Sequence, residues 1–285
     1  MKRILVPYDF SEPSIQALTF AIHIAKKSNG QVMLLHIVEV PVMHDTMIVP
    51  VLDYEMSFFK DLRLKAEKHF TKIGIKFAKE GVKIQSFVEL GPIQKTIDRI
   101  ADDKKADLIV MGTHGVTGFL DSFIGSNTEK VVRFSKVPVI AVHQLARLSK
   151  IRNVVFPTTL HQNQATLVRH IKKLQLFFSA TLHLLVVNTP GNMKRTADEN
   201  QLMEAYARHY KLENYTINTK NDFSVENGIV NFSREIKADM IALGTHGRKG
   251  LAHLFLGSIA ENVVNSIECP VWTYVEKEIH ENHRI

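Results

Sequence analysis

The chain has 285 residues, 45% of them hydrophobic, and a single cysteine, Cys269. That length suits one large or two ordinary domains with full cores; one cysteine excludes an internal disulfide and leaves no metal-site spacing, as in a reducing cytoplasm. Much of the net charge of +7 recurs at helical spacing, on Lys65, Lys68, Lys72, Lys76 and Lys79 opposite Ala66, Phe70, Ile73 and Phe77, which describes a solvated helix face; no nucleic-acid motif accompanies it.

The N-terminus reaches Asp9 before a signal-peptide apolar core could be complete, and no apolar run is long enough to span a bilayer, so a soluble cytoplasmic chain is expected. A strand is predicted at Arg3–Val6. Ser11 is the expected N-cap of a helix with apolar Ile15, Leu18, Ile22 and Ala25, stopped by Asn29-Gly30. A strand at Val32–Val38 follows, then a helix near Leu62–Lys79 ending at Gly81. A strand near Ile84–Val88 leads to Gly91-Pro92 and a helix near Ile93–Asp103. Leu108–Met111 is a short continuous apolar run, as in a strand buried on both faces of a parallel sheet, and Val139–Val142 is the last strand of the first half. After a short basic linker the order resumes: a strand at Asn153–Phe156, a helix ending near Ser179, a strand at Leu182–Val187, a helix within Glu199–Tyr210, a helix at Ile229–Lys237 and an apolar run at Met240–Leu243.

Two glycine patterns lie 132 positions apart. Gly112-Thr113-His114-Gly115 is followed after nine residues by Gly125-Ser126; Gly244-Thr245-His246-Gly247 is followed after nine by Gly257-Ser258. Ala106-Asp107 and Ala238-Asp239 share this offset, as do Val137-Pro138-Val139 and Cys269-Pro270-Val271. The chain is therefore a duplicated domain, with repeats at 1–145 and 150–276. Helices between successive strands imply right-handed crossovers, parallel sheets, and a ligand outside the carboxyl ends of the strands. Each loop leaves such an end, and each Gly-Ser is expected at a helix N-terminus, where free N–H groups, a hydroxyl and the helix dipole suit phosphate. The earlier glycines would allow close backbone approach. Neither loop carries a Walker A lysine, which disfavours a motor-type NTPase. His114 and His246 have no acidic partner at a useful spacing and read as loop-backbone hydrogen-bonding residues rather than bases. The histidines show no ligand spacing, so no metal site is assigned.

Those residues resemble the universal stress protein family, whose nucleotide-binding members carry G-x-x-G-x9-G-[ST] in a five-stranded α/β fold of the adenine nucleotide alpha hydrolase-like kind. The resemblance covers nearly the whole chain as two tandem copies, the second being the nearer match to the motif. It implies two doubly wound five-stranded parallel-sheet domains that bind ATP or another adenine nucleotide, with or without Mg or Mn, as a regulatory ligand in a stress response. It assigns nucleotide contacts to Pro7, Asp9, Ile37, Met111, Gly112, Gly115, Gly125, Ser126 and Asn127 in the first copy. In the second it assigns Pro157, Thr159, Val187, Leu243, Gly244, Gly247, Arg248, Gly257, Ser258 and Ile259. Asp9 would contact the nucleoside and Ile37 line the adenine pocket; Asp9 also reads as the start of an Asx-type turn before the first helix, and the two roles can coexist. Thr159 lacks the charge and second acceptor of Asp9. Arg248-Lys249 can screen phosphates where the first copy has Val116-Thr117 and then Asp121, so each copy looks partly specialised.

The first copy is eighteen residues longer between its second and fourth strands. The surplus is expected at Glu39–Phe59, readable as a lid on its own domain or as a docking surface for another chain. The resemblance also implies that the final strands of the two copies pair within one chain as a pseudo-dimer, any true homodimer using other surfaces. No catalytic residue is assigned. Two further readings stay open: a slow ATPase or self-phosphorylating protein using Ser126 or Ser258, and a scaffold with degenerate sites that binds a protein partner.

Overall fold

The computed structural model describes residues 1–39, 49–113, 126–143, 151–161, 163–191, 196–246 and 253–276, with backbone alone at 49–58, 126, 196–197, 245–246, 253–258 and 276. The chain folds into two compact units, Met1–Gly112 and Thr113–Ile285.

In the first unit, strands β1 (Arg3–Pro7), β2 (Gln31–Val38), β3 (Lys83–Leu90) and β4 (Leu108–Gly112) alternate with helices α1 (Glu12–Ser28), α2 (Val49–Ala78) and α3 (Ile93–Asp103). The strands lie parallel in the order β3-β2-β1-β4. Ile4, Leu5 and Val6 of β1 and Leu108, Ile109 and Val110 of β4 are fully buried, which is why these runs show no polar alternation. The helix ends follow local chemistry. Ser11 caps α1, its hydroxyl accepting from the Ser14 N–H; Asn29 closes it in the left-handed conformation at φ 48°, and the Gly30 N–H returns to the Ala25 carbonyl at 2.9 Å. Lys65, Lys68, Lys72 and Lys76 of α2, and Lys79 just after it, are exposed, whereas Ala66 and Phe70 are buried.

The second unit contains α4 (Ser126–Phe134), β5 (Val139–Val142), β6 (Asn153–Pro157), α5 (Ala165–Phe178), β7 (Thr181–Asn188), α6 (Thr196–His209), β8 (Tyr215–Asn221), α7 (Val225–Glu235), β9 (Met240–His246), α8 (His253–Ser266) and β10 (Val271–Glu276). Its strand order is β5-β10-β9-β6-β7-β8. β6 through β10 pair in parallel, and β5 runs antiparallel to β10, with Trp272 opposite Ile140. The last strand of the first repeat thus lies beside the last strand of the second. Each repeat contributes five strands, β1–β5 and β6–β10, as the α/β reading requires. Among the described residues no helix is long and apolar enough to cross a membrane.

Two features depart from the sequence reading and a third adds to it. α2 begins at Val49, not near Leu62, so the surplus of the first repeat lengthens a helix: α2 has 30 residues where α6 has 14. Residues 40–48 of that segment lie outside the described residues. β8 went unread because Tyr-Thr-Ile-Asn-Thr-Lys-Asn carries little apolar content; it is an edge strand whose residues are mostly half-buried, held by seven-residue registry with β7. Finally, the repeated Ala-Asp is structural. Asp107 Oδ2 accepts from the Lys2 and Arg3 N–H groups, each at 2.9 Å, and Asp239 Oδ2 accepts from those of Arg152 and Asn153 at the same distance. In both repeats the carboxylate ties the entry of the fourth strand to the entry of the first, satisfying donors at the sheet's N-terminal edge.

Candidate functional site at the carboxyl ends of the strands

In the first unit the parallel register sets Pro7 of β1 beside Leu35 of β2, and Leu5 beside Ile109 of β4. Their carboxyl ends therefore form one edge. There the chain leaves β1 through Tyr8, Asp9 and Phe10. Asp9 is exposed, and its Oδ1 accepts from the Ser11 N–H at 3.0 Å and from the Ser11 hydroxyl. This is the Asx-type turn, closing onto the N-cap of α1. Surrounding protein disfavours the charge, but the hydrogen bonds from the Ser11 side chain and backbone outweigh it and hold the Asp9 carboxyl below its usual value. An ionised acceptor is thus fixed at the sheet edge. Ile37 of β2 and Pro7 are half-buried there and Met111 of β4 is buried.

Along β2 His36 alternates with Ile37 and faces the other side of the sheet, and a second cluster forms around it from Tyr8 and Phe10 of the loop after β1. Phe10 adopts φ 68°, in the left-handed region. Its ring lies 5.2 Å from Tyr8, 4.9 Å from His36, 5.3 Å from His69 and 5.7 Å from Phe70, the last pair stacked at 29°. His36 Nδ1–H donates to the Tyr8 carbonyl at 2.9 Å. The sequence gives little sign of this cluster: its members come from the loop after β1, from β2 and from α2, and only a His-Phe pair on a lysine-rich helix hints at a buried contact.

The first glycine of each motif is occupied by packing. A Cβ at Gly112 would stand 2.0 Å from the Pro13 carbonyl oxygen, so the backbone of α1 fills the space that the missing side chain leaves. At Gly244 the corresponding atom is Leu167 Cδ2 of α5, at 2.3 Å. Both glycines let the first helix of a repeat approach its fourth strand. Gly115, Gly125, Gly247, Arg248 and the loop histidine His114 lie outside the described residues.

In the second unit Thr113, just past β4, is buried, and its Oγ1 shares a 2.8 Å hydrogen bond with Nδ1 of His143, which is 3% exposed. Burial pushes the His143 imidazole down to about 4, against a hydrogen bond to the Val264 backbone that opposes it. The start of the first glycine loop is thus pinned by a neutral histidine that the sequence reading overlooked. α4 starts at Ser126, which sets that residue where a helix presents free N–H groups; Asn127 is half-buried in its first turn.

The second repeat differs. α8 begins at His253, so Gly257 and Ser258 fall in its second turn instead of at its N-terminus, and Ile259 is buried. The free donors of a helix are its first four N–H groups, here those of residues 253 to 256. His253-Leu254-Phe255-Leu256 contains no residue that stops a helix, and an interior glycine costs only about 1 kcal/mol; the expected N-terminal Gly-Ser is therefore overrun.

The exit from β6 also differs. α5 begins eight residues after Pro157, whereas α1 begins five after Pro7. Thr158 Oγ1 accepts from the Leu160 N–H at 3.0 Å, the turn bond that Asp9 makes in the first repeat, moved back by one residue; Thr159 is exposed. Leu160 keeps the left-handed backbone of Phe10, at φ 61°. The loop is held by α6 through Tyr206 OH donating to Gln164 Oε1 and the Gln164 N–H donating to Tyr210 OH, each at 2.9 Å. Pro157 and Val187 are half-buried and Leu243 is buried; a Cβ at Gly228 of α7 would stand 2.4 Å from Val187 Cγ1, so that side chain packs under a helix. Among the described residues no group of three or more His, Cys, Asp or Glu is placed to hold a metal ion.

Comparison with known proteins gives a consistent result. The model of the universal stress protein family matches residues 1–143 and 150–274. Universal stress protein MJ0531 of Methanocaldococcus jannaschii is 33% identical over 141 residues, spanning 50% of this chain and 81% of that protein. Universal stress protein Slr1230 of Synechocystis is 22% identical over 293 residues, 96% of this chain and all of that protein. A crystal structure of a universal stress protein from Archaeoglobus fulgidus superposes with a TM-score of 0.76 over 96% of this chain and 98% of that one; at 21% identity the likeness is one of fold.

Proposed function

The chain belongs to the universal stress protein family, and we propose that it binds an adenine nucleotide, ATP or a close relative, as a regulatory ligand in a stress response, with the first repeat as the stronger site. The observation that carries this reading is Asp9: an ionised, exposed carboxylate held by Ser11 at the carboxyl edge of β1. Such a group accepts from ribose hydroxyls or a base amine. The start of α4 at Ser126 presents free N–H groups of the kind that bind phosphate. The second repeat retains the apolar residues of the pocket but presents Thr159 in place of a carboxylate and carries its Gly-Ser pair in the second turn of α8. Mg or Mn would enter with the phosphates, since the described side chains supply no cage of their own.

The β5·β10 ladder supports internal pairing of the repeats through their final strands. No observation favours turnover over binding.

Mass analysis of small molecules released from the purified chain is the direct test, followed by calorimetry. Asp9→Ala should lose about 1–3 kcal/mol of ATP affinity, the cost of deleting a charged hydrogen-bond partner, and Gly115→Val should abolish binding at the first repeat. Unchanged affinity in both variants, with the second loop disabled by Gly247→Val, would remove the assignment.

A further inference from the structure

Phe10 stands between the carboxylate of Asp9 and the N-cap Ser11, and its ring packs into the cluster around His36 under α2. A phenylalanine in the left-handed region is strained by roughly 1–2 kcal/mol, and such strain persists only where the surroundings over-determine it. Here four rings do so: Tyr8 from the same loop, His36 from β2, and His69 and Phe70 from α2, all with centroids within 5.7 Å of Phe10. Phe70 is 2% exposed and also meets Tyr8 at 6.0 Å, so the cluster is continuous with the core under α2. The peptide units on either side of Phe10 carry the turn that orients Asp9. Its ring therefore anchors the turn that holds the carboxylate.

The second repeat provides the control. It has the same left-handed backbone at Leu160, with no ring, and its α6 grips the loop through Tyr206, Tyr210 and Gln164 instead. In that repeat the turn bond passes to Thr158 and Thr159 is left out of it.

We propose that Phe10 is a positioning residue for the nucleoside half of the ligand, and that through its stack on Phe70 the long helix α2 sets how well the Asp9 turn is formed. The inference rests on nucleotide binding at the first repeat. It makes α2, the element lengthened only in this repeat, the regulatory handle of that site, with Phe10 the link between them.

Phe10→Leu installs the residue that the second repeat tolerates on the same backbone, so the fold is retained. With the second loop disabled by Gly247→Val, this variant should bind ATP about fivefold more weakly, a usual size for residues coupled through contact. Inorganic tripolyphosphate, which lacks a nucleoside, should bind as before, and Phe10→Tyr should restore ATP binding. In an Asp9→Ala background Phe10→Leu should cause no further loss. Amide exchange at Ser11, whose N–H is held by Asp9, should quicken in Phe10→Leu without any ligand present. Unchanged ATP affinity, or equal weakening of ATP and tripolyphosphate, or additive losses in the double variant, would overturn the positioning role while leaving nucleotide binding in place. Failure of the Gly247→Val parent to bind ATP would remove both.

Discussion

The two loops that leave β1 and β6 start from the same sequence position in a repeat and end differently. In the first, Asp9 closes the turn onto Ser11 and α1 starts at once; in the second, Thr158 closes a turn one residue earlier and α5 starts after three more residues. The difference follows from which side chain can accept from the N–H two residues on. A carboxylate at Asp9 reaches it, and Ser11-Glu12-Pro13 offers an N-cap and a proline compatible with the first helical turn. His161, at the position of Ser11, is neither, and the chain runs on until Gln164 is secured by two tyrosines. Duplication preserved the sheet and let the edge diverge, because the sheet is constrained by buried neighbours on both faces and the loop by only a few hydrogen bonds.

The β5·β10 ladder gives the largest expected effect. Ile140 is fully buried opposite Trp272, so Ile140→Pro removes both a backbone donor and a core side chain and should cost about 3 kcal/mol or more. Loss of protease resistance and a lower urea midpoint would register it; an unchanged midpoint would mean that β5 contributes little to the second unit.

His143 distinguishes the repeats by pH. Its counterpart at the repeat offset is Val275. With a folded value of about 4 against an ordinary 6.5, the unfolded chain binds the extra proton between those limits. Stability is therefore complete above about pH 6.5 and falls as the pH drops towards 4, by up to about 3 kcal/mol. His143→Gln should flatten that limb of the pH–stability curve. A profile identical to wild type would show that the imidazole does not titrate with unfolding.

The glycines sharpen the comparison at smaller scale. Gly112→Ala drives a methyl into the Pro13 backbone, which cannot move aside without shifting α1, and should cost about 1–3 kcal/mol. Gly244→Ala meets no backbone but the Leu167 side chain, which shifts more readily than the backbone of α1, and should cost less, about 1 kcal/mol. Thermal midpoints of the two variants rank them; equal losses would mean that the second repeat is as tightly packed as the first.

Much of the fold was legible in the residues alone. The 132-residue repeat, the buried strands, the Ser11 and Asn29 caps and the Asx turn of Asp9 all rest on chemistry within a few positions of one another, and such signals survive in one dimension. α2 was read only from its amphipathic half, because its N-terminal half is apolar without a clear polar face; β8 was missed because an edge strand needs little hydrophobicity. The tertiary structure alone decided what the motif residues do. Gly112 is a packing residue because Pro13 comes to it from 99 positions away, and Asp107 is a clamp because the β1 entry lies beside it. Phe10 is held by rings from β2 and α2, and His143 by Thr113 and α8. Each of these roles depends on which distant backbone or ring arrives within a few ångströms, and a sequence pattern records the residue without recording its visitor.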